Sequence, residues 1–225
     1  MKKVSLLLLA ALLLGRGSVA LAAQTDVTAI YAAGTLFGEI TNVGDQPVRI
    51  DSAVYDLYDD DGKAVSAGRF NAFYPPVIAP GEKAFFAISA NAGAETGSHF
   101  VSVTGKPASG DDSRLLASCS YEETIAYVPS TCTNDDDYEP ESIRTIELFA
   151  VLENDTDALA KEPKAVWAIY DTDGSLLYVH CETIRGVSLF PGSKIQVSTQ
   201  VRTDILAILD AAGAEIGEVV AAAWH

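Results

Sequence analysis

The sequence predicts an all-β fold of two tandem antiparallel β-sandwiches, with a short helix in the second. Three observations carry this. A constant shift of 112 positions lays residues 36–62 on 148–174 without a gap, with ten identities over 27 positions, where composition alone gives roughly two. Each copy holds a strand-like run that ends in an Asp-rich turn closed by glycine: Tyr55-Asp56-Leu57-Tyr58-Asp59-Asp60-Asp61-Gly62 and Trp167-Ala168-Ile169-Tyr170-Asp171-Thr172-Asp173-Gly174. Such a run and turn is the signal for two neighbouring antiparallel strands. Short alternating runs then recur at sandwich spacing, with no helical period between most of them.

In chain order, Lys2 and Lys3 precede an apolar run from Val4 to Leu14, and Ala20-Leu21-Ala22 is a small-x-small site. This predicts a secretory signal peptide over 1–22. Arg16 ends the run well short of the roughly 20 apolar residues a membrane span needs, and no integral membrane segment is expected in the mature chain.

The first domain is expected over 23–105. Leu36, Gly38 and Ile40 alternate with Phe37, Glu39 and Thr41 and run into Asn42-Val43-Gly44-Asp45, a strand and its turn. In the motif strand Tyr55 and Leu57 share one face and Val54 and Tyr58 the other. Trp167 and Ile169 repeat the first face, so Tyr55 and Trp167 are expected to join the two sheets of each sandwich. Ala64-Val65 and Leu176–Val179 return after the turn. Pro80-Gly81 and Pro191-Gly192 fit type II turns. Ala84, Phe86 and Ile88, matched by Ile195, Val197 and Thr199, form the next strand, and His99–Val103 and Glu218–Ala223 the last. The segment AGAETG at 92–97 recurs as AGAEIG at 212–217.

The second domain, 143–225, carries nine additional residues around Thr203–Asp210. They predict a helix capped by Thr203 or Asp204, with Ile205, Leu206, Ile208 and Leu209 packed under the sandwich. Between the domains, 106–142 has the polar, acidic ends of a linker. Its middle, Leu115-Leu116-Ala117 and Thr124–Val128, is strand-like and is expected to add one or two strands to an edge of the first domain.

The full chain carries a net charge of −16, with 15 basic and 31 acidic residues. Three of the basic residues, Lys2, Lys3 and Arg16, fall in the leader, so the mature chain carries −19. That excludes nucleic acid and anionic lipid as preferred partners, because both select basic patches. The cysteines are Cys119, Cys132 and Cys181. In an exported chain they allow one disulfide. Cys119 with Cys132 is the pair closest in sequence, and Cys132 with Cys181 is the alternative. Metal ligation is a weak third reading, since no C-x-x-C exists and His99, His180 and His225 are scattered.

The repeated strand resembles the FxLYD family of bacterial exported domains, named for an aromatic-x-aliphatic-Tyr-Asp strand. Tyr55, Leu57, Tyr58 and Asp59 fit with tyrosine in the leading place, and Trp167, Ile169, Tyr170 and Asp171 with tryptophan and isoleucine substitutions. Asn42 and Asn154, the Asp-Gly turn and the Pro-Gly turn are similar to that family's layout. The resemblance implies an immunoglobulin-like sandwich on an exported bacterial protein. It brings no activity or binding residue.

The chemistry-bearing candidates are few. Asp59, Asp60 and Asp61 precede Gly62, yet a calcium loop needs an acidic residue at 57, where leucine stands, and glutamate at 68, where glycine stands. The turn reading, with aspartates bonded to nearby backbone amides, is favoured. Asp135–Asp137 with Glu139 and Glu141 read as a solvated acidic run. No catalytic, cofactor or metal site is expected. No G-x-S-x-G, H-E-x-x-H or S-x-x-K set is present, and the adjacent His180 and Cys181 would point to opposite faces of a strand. Asn154-Asp155-Thr156 matches a glycosylation sequon in a strand-ending turn. The expected function is a non-enzymatic binding or spacer module, secreted or at the cell surface, with an unknown protein or envelope partner. The alternative is an accessory or inhibitor-like component of an extracellular enzyme or envelope complex.

Overall fold

The computed structural model describes residues 24–90, 97–109, 113–127 and 142–225. The expected leader, Cys132 and the acidic run 134–141 lie outside these residues. The first half holds β1 (Thr25–Ala32), β2 (Thr35–Asn42), β3 (Val48–Tyr58), β4 (Ala64–Phe70), β5 (Val77–Ile78), β6 (Lys83–Ser89) and β7 (Ser98–Pro107). The second holds β8 (Arg114–Tyr127), β9 (Ser142–Glu153), β10 (Ala160–Lys161), β11 (Lys164–Asp171), β12 (Leu176–Thr183), β13 (Ser188–Leu189), β14 (Lys194–Gln200), α1 (Thr203–Ala211) and β15 (Ile216–Trp224). The fold is all-β and sandwich-like, with every ladder antiparallel.

The two halves repeat strand register as well as sequence. β2 and β6 pair Leu36 with Ile88, and β9 and β14 pair Leu148 with Thr199. β3 and β4 pair Leu57 with Ser66 and slip one residue further on, as β11 and β12 do at Ile169 and Tyr178. Tyr55 faces Val101 on β7, and Trp167 faces Ala221 on β15. In the first half the sheets are β1-β2-β6 and β4-β3-β7, with β5 beside β3. In the second, β8-β9-β14 and β12-β11-β15 join through β15 and β8 into six strands. Leu36, Ile40, Leu57 and Phe86 fill the first core, and Leu148, Leu152, Trp167 and Ile169 the second.

Three expectations are corrected. The strand within 106–142 does not extend the first half: β8 pairs β9 over twelve residues and meets β15 at two. It is the counterpart of β1, outside the reach of the constant 112-residue offset. Tyr31 opposite Leu36 corresponds to Tyr121 opposite Leu148, an offset of 90 rather than 112, because β1 and β2 join through Ala33-Gly34 while β8 and β9 are far apart in sequence. The helix starts after Arg202, whose guanidinium pairs with Asp204, and no side chain caps it. Ile205, Leu206 and Leu209 are buried, but Ile208 faces solvent.

Candidate interaction site

The motif aspartates fasten their own turns. Asp59 Oδ1 accepts the Asp61 and Lys63 amides at 3.1 and 2.8 Å, and Asp171 Oδ1 accepts those of Asp173 and Ser175 at 2.9 and 2.7 Å. Gly62 and Gly174 take φ of +76° and +81°, which a side chain would strain. The last strand of each half starts against this turn. A Cβ at Gly97 would strike Asp60, and one at Gly217 would strike Asp171, which accounts for the glycine closing the repeated AGAE-x-G segment. Among the described residues no group of three His, Cys, Asp or Glu side chains is placed to hold a metal.

Around these turns Leu57 and Ile169 are fully buried, and so is Trp167, 5.8 Å from the His180 ring opposite it. Tyr55 is half-buried and lies over Gly68, the counterpart of His180. The two aromatics therefore do different work: Trp167 fills a core, and Tyr55 roofs a glycine at its margin.

Asn42 and Asn154 are buried clamps. Asn154 Nδ2 donates to the carbonyls of Ala158 and Leu189, both at 2.8 Å, and its Oδ1 accepts the Thr156 amide at 3.1 Å. Asn42 does the same with Gln46 (2.8 Å), Ile78 (3.1 Å) and Gly44 (3.0 Å). Each ties the end of its strand to two loops. In the fold Asn154 of the sequon is inaccessible, with its amide nitrogen engaged by two carbonyls.

A buried polar cluster lies between the halves. On β2 and β6, Phe37, Glu39, Lys83 and Phe85 point away from the first core. Phe37 and Phe85 enter the second core beside residues of β11 and β12, and Phe37 meets Tyr178 edge-on at 5.5 Å. At the centre Tyr170 donates to Glu39 Oε2 at 2.5 Å, and Lys83 Nζ reaches both Glu39 oxygens at 2.8–2.9 Å while sitting 4.7 Å from the Tyr170 ring centroid. Burial, then the bond to Glu39, push the Tyr170 hydroxyl well above its usual range. Tyr74 stacks on Trp224 at 5.0 Å, and Arg114 forks onto Glu82 at 2.7–2.8 Å. The sequence reading missed this contact, because Tyr170 matches Tyr58 in the repeat while Glu39 is replaced by Val151.

Lys83→Met is expected to cost about 1–3 kcal/mol, because it strands the Glu39 carboxylate at a nearly buried position while Lys83 itself is partly exposed. Adding Glu39→Val and Tyr170→Phe, which removes the carboxylate together with the hydroxyl that donates to it, should recover most of that in chemical denaturation. Burial also raises the Tyr178 hydroxyl, to about 12. Since an unfolded tyrosine titrates near 10, the stabilisation is complete below pH 10 and is lost as pH rises through 12. It reaches about 3 kcal/mol, and the loss should shrink in Tyr178→Phe.

Cys181 is packed among apolar groups with its thiol pushed up by burial, and Cys119 donates to the Val219 carbonyl at 3.1 Å. Among the described residues Cys119 and Cys181 are not bonded to one another; the pairings through Cys132 lie outside the described residues. His180 turns toward Trp167 and Thr199, and burial lowers its pKa. Concavities open on the second half among the described residues. A shallow groove of about 250 Å³ on the outer face of β8 and β9 is lined by Ser118, Ser120, Glu122, Phe149, Val151 and Gln196. A cleft of about 520 Å³ lies between the β8–β9 ribbon and α1, where Arg144 bridges Glu123 and Asp210.

No family model and no curated protein matches the chain. Among solved structures, it is similar to the crystal structure of red sea bream transglutaminase at 10% identity and a TM-score of 0.25, over 78% of this chain and 26% of that one. The chain thus spans about a quarter of that protein's length, and a likeness at this level carries no argument about activity.

Proposed function

We propose that this is an exported, non-catalytic protein of two tandem FxLYD-type, immunoglobulin-like domains that acts outside the cell as a rigid binding and spacer module. The observation that carries the reading is the shared core: Phe37 and Phe85 of the first half are buried among side chains of the second. A spacer needs its units held at a fixed angle, and a buried apolar contact with a neutralised polar centre supplies that. His180 and Cys181 are turned into different surroundings, which supports the non-catalytic part of the reading. Among the described residues no helix is long and apolar enough to cross a membrane.

Calorimetry of the mature protein should give one cooperative transition, with van't Hoff and calorimetric enthalpies equal. Two separated transitions would overturn the rigid reading. Capture of an envelope or medium component by the immobilised mature protein tests the binding role, and failure with and without a calcium chelator counts against it.

A further inference from the structure

The contact between the halves joins two different faces, and the duplication places a second copy of each face on the outside of the molecule. One face is formed by β1, β2 and β6, with rows Ile30-Phe37-Ala87 and Thr28-Glu39-Phe85. Its counterpart on β8, β9 and β14 has rows Ser120-Phe149-Ser198 and Ser118-Val151-Gln196. This counterpart is the wall of the shallow groove. The other face is formed by β12, β11 and β15 around Val166, Ala168 and Tyr170. Its counterpart on β4, β3 and β7 holds Val54, Asp56 and Tyr58 with Phe100 and Arg69. Val54 and Phe100 are 45% and 55% exposed, and Val151 is 36% exposed.

We propose that these two outer faces bind one another between copies, so that the protein associates head to tail through the same docking that joins its own halves. The reasoning is positional. Where Lys83 sits over the Tyr170 ring beside Glu39, a docked second copy would set Lys194 and Val151 against Tyr58 of that copy. Phe100 takes the place of Val220 beside it. The contact is heterologous, so it does not close on itself and yields open chains rather than a dimer. It is also weaker than the internal one. Gln196 replaces Phe85, Ser198 replaces Ala87 and Asp56 replaces Ala168, so apolar burial is smaller and part of each face stays wetted. Each copy is strongly acidic, so salt strengthens the association by screening their repulsion.

This inference names a partner for the binding module proposed above and rests on that reading. It can fail in purified protein while envelope capture succeeds, so the two failures are distinguishable. The experiment is sedimentation equilibrium of the mature protein at low and high salt, with Val151→Glu blocking one face and Phe100→Asp the other. Gln196→Arg, at an exposed position, is the second variant for the first face. Wild type should show a weight-average mass rising beyond twice the monomer as concentration reaches about 1 mM, more strongly in high salt. Each variant alone should stay monomeric. An equimolar mixture of Val151→Glu and Phe100→Asp should form a dimer and stop there, because each supplies the face the other lacks. A wild type that stays monomeric, or stops at a dimer, or a variant that associates as wild type does, overturns the proposal.

Discussion

Trp167→Ala is expected to lower stability by about 3–5 kcal/mol, the range for emptying a fully buried indole site. Tyr55→Ala at the matching position should cost about half as much, since Tyr55 is half-buried and lies over Gly68 rather than between layers. Trp167→Phe should cost about 1 kcal/mol, less than its lost volume suggests. The indole Nε1 is buried and meets no acceptor, so removing that donor returns part of a desolvation penalty. Urea midpoints of the three variants at unchanged slope decide this. Equal losses for Trp167→Ala and Tyr55→Ala would show that the two aromatics do the same work.

Asn154→Leu should be as severe, about 3–5 kcal/mol, because it leaves two carbonyls and one amide unpaired at a buried strand end. Asn154→Asp should also destabilise at neutral pH, since a carboxylate would then face the Ala158 and Leu189 carbonyls. That loss should narrow as pH falls and the acid protonates. Asn42→Leu should match Asn154→Leu, given the same three partners in register. Thermal melts across pH 4–8 provide the measurement. An Asn154→Asp protein as stable as wild type at pH 7 would refute the clamp.

Both predictions show where sequence reading succeeds and where it stops. The motif strand, the Asp-Gly turn and the Pro-Gly turn are local, and their geometry followed from residue chemistry. Gly81 and Gly192 take the positive φ expected of them, and Ala79 and Phe190 accept the closing amides of Glu82 and Ser193. The insertion around α1 was visible as nine residues that break the repeat offset, although its cap was not, because Arg202 holds Asp204 instead of leaving it free to cap. The roles of Asn42 and Asn154 were hidden. An identity shared by two copies says that a residue matters, but its partners lie up to 36 residues away across a loop.

β8 illustrates a different limit. Its pairing with β9 spans a connection absent between β1 and β2, so no constant offset could relate the two hairpins.

By itself, the sequence determined an all-β chain built on a duplicated strand and turn, because alternation and turn residues act within a few positions along the chain. Only the tertiary structure decided how the copies meet. Glu39, Lys83 and Tyr170 come from three strands, and Glu39 and Lys83 are separated from Tyr170 by more than 80 residues. Their mutual neutralisation is what lets one half bury a charged face on the other. The same structure shows why matching positions diverged: Val151 and Gln196 face solvent where Glu39 and Phe85 are enclosed.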